Sequence, residues 1–243
     1  MSNRIAGVSE KLVECAKEEF LEKGFDGASL RTVAKNAETS TSSIYIRFGD
    51  KDGLLMYILK PVTDEFVSIY RSVQQDFSQL PSNVQSETVN EYSANGMLRL
   101  IDYIYDNTDI FRILLDSSCD KFFRVFEHEL IDIELEYTLK FMDAVGCRSF
   151  EDGKVTTDFL HIIISSFFNG FFEPVRHGMS REEAYRYIGM LSKYHRAGVA
   201  CHAKRKKMSS KTQKIPFKMT FGYILKGIFL SMQGLNLLMK SYC

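Results

Sequence analysis

The sequence predicts an all-α protein, and three observations carry that reading. Apolar residues recur at three- and four-residue spacing over long segments rather than alternating. Only four prolines, Pro61, Pro81, Pro174 and Pro216, interrupt the 243 residues. Small polar or glycine residues stand where such segments begin and end, as Gly24, Ser29 and Ser40 do. A chain of this length buries a core without cross-links. Its five cysteines, Cys15, Cys119, Cys147, Cys201 and Cys243, are odd in number and scattered, which points away from a disulfide framework or zinc ribbon and towards a reducing cytoplasm. No apolar signal segment opens the chain, because Met1 to Phe20 carries charges throughout.

The first helix is expected from about Val8 to Lys23, with Val8, Leu12, Ala16 and Phe20 on one stripe and Gly24 as its stop. A second, short helix opens at Ser29 and places Leu30, Val33, Ala34 and Ala37 on one face. A third follows Ser40, with Ile44 and Phe48 inward. The fourth starts near Asp50 and carries Leu54, Leu55, Ile58, Leu59 and Val62 through Pro61. The polar segment Gln74 to Glu91, with Pro81 inside it, reads as a helix end and loop. Helical patterns resume at Met97 to Asn107, Asp109 to Ser117, Phe122 to Val145, Thr156 to His177 and Arg181 to Gly198. Phe159 to Phe172 has no polar face, so burial on all sides is expected there.

Two short helices about four residues apart, the second rich in hydroxyls and both preceded by a longer helix, form the plan of a helix-turn-helix DNA reader. Small side chains at Ser40, Thr41, Ser42 and Ser43 let a recognition helix approach base edges closely. Tyr45 and Lys51 are spaced to hold backbone phosphate on either side. From Ala28 to Lys51 the basic residues are Arg31, Lys35, Arg47 and Lys51, against Glu38 and Asp50. That weak positive charge predicts modest nonspecific binding and a dependence on dimerisation.

The stretch "GFDGASLRTVAKNAETSTSSIYIRFGDKDGLL" resembles the DNA-binding domain of the tetracycline-repressor (TetR) family. The likeness covers about Val8 to Leu59 and includes Gly24-Phe25, Ser29, Val33-Ala34, Ile44-Tyr45, Phe48, Lys51 and Leu54-Leu55. It implies DNA contacts at Ser29, Thr41, Ser42, Ser43, Tyr45, Ile46 and Lys51, and Arg31 is added as a basic candidate beside them. Two departures stand out. Glu38 occupies a turn position where the family usually has Gly, so strain is expected there. Gly53 stands where a capping-box Glu is common, so a weakened start of the fourth helix is expected.

The resemblance further implies a three-helix DNA-binding domain at 1–50 and a larger helical effector-binding and dimerisation domain at 51–198. The two long helices near 156–177 and 181–198 look like the family's dimerising pair, with Phe159, Ile163, Phe167, Phe171, Tyr185, Ile188 and Leu191 as candidate interface residues. Twofold symmetry would set two recognition helices about 34 to 36 Å apart, or somewhat more, on a pseudo-palindromic double-stranded DNA operator. Tyr103, Phe111, Phe122, Phe126, Tyr137, Phe141 and Phe168 are candidates for an apolar effector pocket, with Asp102, Asp106, Asp116 or Glu134 available to a cation. Aromatics at helical spacing also build plain cores.

Catalytic, metal and cofactor roles are not expected. "HELID", His128 to Asp132, lacks the second His of a helical zinc motif, Cys201-His202 is adjacent rather than spaced, and no nucleotide-binding glycine motif occurs. The segment 199–243 is foreign in composition, because from Arg196 onward ten Lys or Arg stand with no Asp or Glu. It holds "AKRKK" and then a 21-residue stretch, 219–239, with Lys226 as its one charge. A packed helix, a basic-flanked membrane anchor and a foreign extension all fit that pattern. The expected function is a homodimeric bacterial repressor released from DNA by a small effector. The alternative is a helical ligand-binding or membrane-associated interaction protein that no longer reads DNA.

Overall fold

A computed structural model describes residues 2–147 and 155–203, with side chains at 10–147 and 155–195. The side chain of Val8 and nearly all of the basic-then-apolar extension, including 219–239, lie outside the described residues. The chain divides into a unit Met1–Gly198 and a second unit Val199–Cys243. Among the described residues every regular element is helical.

Helix α1 (Ser2–Gly27) buries Leu12, Ala16 and Phe20 at four-residue spacing, as one stripe of a 3.6-residue helix must. Gly24 breaks it with φ 68°, where only glycine bends without penalty, and turns Phe25 inward. Helices α2 (Leu30–Asn36) and α3 (Thr41–Phe48) are too short to persist alone. They are held by Val33, Ala34 and Ile44, which are buried against Leu12, Ala16 and Leu54 in one cluster.

Helix α4 (Lys51–Ser78) passes through Pro61 unbroken and buries Leu54, Leu55, Ile58, Leu59, Phe66, Tyr70 and Val73. The polar segment expected to be a loop is mostly helical: α5 (Ser82–Asp106) begins four residues after α4 ends. Polarity there belongs to the outer faces of two helices, and Pro81 sits just before the first turn of α5, where its missing N–H removes no helical bond. The buried side chain of Gln85 donates from Nε2 to the carbonyls of Ser78 and Leu80, at 3.2 and 2.7 Å, and so satisfies the end of α4.

Helix α6 (Thr108–Leu114) is followed by a 3-10 turn, Ser117–Cys119, rather than continuing to Ser117. Asp116 accepts the Ser118 N–H at 2.9 Å and draws the chain out of the helix. Helix α7 (Asp120–Ala144) packs on α4 and α8 (Thr157–Arg176). Phe66 lies at the centre, its ring 5.5 to 6.2 Å from those of Tyr103, Phe111, Phe126 and Phe172. Each such buried Phe contributes about 2 kcal/mol.

Helix α9 (Arg181–Ala203) lies against α8 in its first part, with the His195 ring 5.2 Å from that of Phe167. Gly170 makes room for it, since a Cβ there would lie 3.2 Å from Leu191 Cδ1. The apolar α8 is not covered on every side within the protomer. Ile164, Phe168, Phe171 and Phe172 are buried, whereas Phe159 and Ile162 are exposed.

Candidate nucleic-acid interface

The α2–turn–α3 unit is fixed at both ends by hydrogen bonds. Ser29 caps α2, its Oγ accepting the Thr32 N–H at 3.4 Å, while its own N–H donates to Glu19 Oε1 at 2.9 Å. Glu19, in α1, is a buried carboxylate whose role sequence spacing does not reveal, because the pairing of residues 19 and 29 depends on α1–α2 packing. At the other end Thr39 N–H donates to Ala34 O and Glu38 N–H to Lys35 O, a Schellman arrangement. That arrangement needs a left-handed residue at Glu38, whose φ is 53°. The expected strain therefore falls where the sequence placed it. Lys11 Nζ lies 2.7 Å from Glu38 Oε1, tying the turn to α1, and this hydrogen bond holds the Glu38 carboxyl below the usual carboxylate range.

Ser40 caps α3 by accepting the Ser43 N–H at 3.3 Å, and the Ser40 and Ser43 hydroxyls lie 3.2 Å apart. Two of the four hydroxyls thus shape the helix start. Ser42 is exposed and Thr41 half-buried beside it. Below them Tyr45 is 54% and Ile46 84% exposed, although Ile44 between the two stripes is fully buried. Exposed aromatic and branched side chains on a short helix without acidic residues suit contact with phosphate and thymine methyl groups. Arg31 is exposed on α2.

Lys51 is engaged within the chain. Its Nζ donates to the Asp26 carbonyl at 3.2 Å and lies 4.8 Å from the centre of the Phe25 ring. The start of α4 does not lack a cap: Asp50 accepts the Gly53 N–H at 2.7 Å. Gly53 is explained by packing, since a Cβ there would lie 1.9 Å from the Phe48 carbonyl oxygen. A capping Glu could not occupy that position without moving α3.

The model of bacterial regulatory proteins of the tetR family matches residues 12–58, which is this same three-helix unit with the start of α4. Residues 12–58 are thus similar to the DNA-binding domain of that family. An HTH-type transcriptional regulator assigned in Bacillus subtilis, YttP, is 25% identical over 105 residues, covering 43% of this chain and 47% of that protein. The match thus spans about half of that relative's length. A solved structure assigned to the TetR-family transcriptional regulators, from Syntrophomonas wolfei, is 18% identical at a TM-score of 0.53, covering 79% of this chain and 95% of the other. A regulator assigned to fatty acid metabolism in Clostridium perfringens is 13% identical at a TM-score of 0.50, covering 77% and 97%. Both share the fold.

The TetR-type head is joined to the helices that follow by several contacts. Phe25 N–H donates to Ser118 Oγ at 3.0 Å, the Phe25 and Phe122 rings meet at 5.8 Å, and Lys121 pairs with Asp52. Phe122, a pocket candidate, therefore lies at this joint, with Lys121 Nζ 4.7 Å from its ring centre.

Of the other pocket candidates, Phe111, Phe126 and Phe168 are closed into the core, and Tyr103 donates its hydroxyl to Val62 O at 3.1 Å. Tyr137 and Phe141 line a cavity of about 90 Å³ between α4, α5 and α7, together with Tyr70, Gln74, Tyr92 and Glu134. Glu134 lies deep, and burial pushes its carboxyl pKa up. Asp102 and Asp106 face elsewhere: Arg181 reaches them at 3.4 and 2.5 Å, and Tyr185 donates to Asp102. Among the interface candidates Phe159 is exposed, Ile163, Phe167, Tyr185 and Leu191 are half-buried, and Phe171 and Ile188 are buried in the protomer's own core. Ile162, Met190 and Tyr194, which the sequence pattern did not single out, are exposed by 64, 64 and 55%. Their exposure depends on the crossing of α8 and α9, which spacing alone does not specify.

Proposed function

We propose that the protein is a homodimeric DNA-binding repressor that sets two α3 helices on a pseudo-palindromic operator and is released by a small-molecule effector. The observation that carries the reading is the uncovered outer face of α3, where Tyr45 and Ile46 stand exposed beside Ser42 on a helix whose other face is locked in the core. Thr41, Ser42 and Ile46 then face bases, while Tyr45, Ser29, Ser43, Arg31 and Lys51 face the backbone. The effector site is the α4–α5–α7 cavity, and the partner-facing surface is the exposed part of α8 and α9. An effector that favours the conformation with misplaced heads lowers operator affinity by the factor of its own preference.

The test is a gel-shift titration of the full chain with the DNA beside its own gene, at several salt concentrations. A salt-sensitive, sequence-preferring shift is expected. Absence of any such shift favours a helical ligand-binding or membrane-associated protein that has lost DNA reading.

A further inference from the structure

The cavity between α4, α5 and α7 contains a single carboxylate, and its surroundings are uncharged and aromatic. Glu134 Oε2 accepts hydrogen bonds from the Tyr70 hydroxyl and Gln74 Nε2. Among the described residues its Oε1 has only the Thr138 hydroxyl, at 3.4 Å, so that oxygen keeps acceptor capacity. Every one of these partners is neutral. Asp102 and Asp106, by contrast, share Arg181, and Asp52 has Lys121.

Glu134 is set deep among protein atoms but is not sealed off, since it retains accessible surface and lines the cavity. A buried carboxylate without a counter-ion is costly when charged. An isolated structural role would be met as well by Gln, which could accept from Tyr70 and Gln74 alike. The remaining wall supplies π-faces, from Phe77, Tyr92, Tyr137 and Phe141, with Phe77 packed 5.2 Å from Tyr92 and 5.7 Å from Phe141. Ring faces and one carboxylate form a receptor for a cation with an apolar body.

We propose that this cavity binds a small organic ammonium ion, with Glu134 as its counter-ion and hydrogen-bond acceptor and the aromatic wall around its carbon chain. The assignment rests on the reading of the cavity as the effector site and names the chemical class of that effector. A volume of about 90 Å³ is smaller than the roughly 150 Å³ that houses a benzene ring, so short primary amines fit before aromatic ones. A second hollow of about 210 Å³ shares Val73, Tyr92 and Gly96 with the first, and Asn95 and Arg99 complete its lining, so it suits the uncharged end of a longer amine and not a second ammonium group.

The experiment is a calorimetric titration of the full chain, without DNA, using n-butylammonium and benzylammonium against their neutral counterparts 1-butanol and benzyl alcohol. Binding of at least one ammonium ion about tenfold or more tightly than its alcohol is expected, and Glu134→Gln should abolish that preference while leaving the alcohol unchanged. Tyr92→Leu, at a half-buried position, should reduce the preference severalfold, and it decides the matter if Glu134→Gln does not fold. Equal binding of amine and alcohol, an amine preference that survives Glu134→Gln, or no binding of either overturns the proposal. Amine binding that leaves operator affinity unchanged overturns the release reading and leaves the receptor assignment standing.

Discussion

Gly53 and Phe48 approach so closely that a methyl group on the glycine would lie 1.9 Å from the Phe48 carbonyl oxygen. Alanine in an exposed helix normally gains about 1 kcal/mol over glycine. Here Gly53→Ala is expected to destabilise by about 1 to 3 kcal/mol, because α3 must shift or its last turn distort. Thermal unfolding followed by circular dichroism checks this. An unchanged or raised melting temperature would show that α3 yields without loss.

Glu38 holds φ 53° within a Schellman turn, so Glu38→Gly should raise the melting temperature by relieving the backbone, despite loss of the exposed pair with Lys11. Lys11→Ala, which breaks the pair but keeps the strain, should lower it slightly. The two variants must move in opposite directions.

Lys51 is shared between Asp26, the Phe25 ring and, in the proposed complex, a phosphate. Lys51→Ala should therefore weaken binding to all DNA sequences and reduce the salt slope by about one. Tyr45→Ala should likewise weaken all sequences, whereas Ser42→Ala should change the ranking of operators. Gel-shift titrations over a panel of operator variants distinguish these patterns, and identical behaviour of all three substitutions would defeat the division of roles.

Glu134 has a raised carboxyl pKa because it is buried, so the folded chain binds its proton more tightly than the unfolded chain does. Its contribution is fully present below the unfolded carboxylate pKa of about 4.3 and is lost as pH rises through the folded value. Glu134→Gln should flatten that part of the curve. Denaturant melts of both proteins from pH 4 upward test the sign, and a wild type that gains stability relative to the Gln variant as pH rises would contradict it.

Ile162, Met190 and Tyr194 are exposed on α8 and α9, whereas Phe171 is buried in the protomer. Charged substitution at Ile162 or Met190 should shift the protein to monomer by light scattering and lower DNA affinity, with the melting of the protomer retained. Phe171→Ala should instead destabilise the protomer by about 3 to 5 kcal/mol. Dissociation caused by Phe171→Ala without loss of protomer stability would redraw the interface.

The head was legible in the sequence because its determinants are local. The caps at Ser29 and Ser40, the stop at Gly24 and the buried Val33, Ala34 and Ile44 all follow from spacing within a few residues. The left-handed position at Glu38 was legible for the same reason. The α4–α5 junction was not, since Gln85 satisfies the carbonyls of Ser78 and Leu80 across a turn that composition alone presents as a loop. Aromatic residues were identified as core or pocket without distinction, because separating Phe111 from Phe141 depends on which helix faces which. The packing reason for Gly53 was hidden for a related reason: its neighbour is Phe48 of the preceding helix.

Helix α4 runs as one 28-residue rod from Lys51 at the head to Ser78 beyond the cavity, unbroken at Pro61. At 1.5 Å per residue, Gln74 lies about 35 Å along the axis from Lys51, so a tilt of about 5° about the cavity end displaces the head by about 3 Å. In the proposed release, leverage of this kind would convert a side-chain rearrangement around Glu134 into a displacement comparable to one base-pair step.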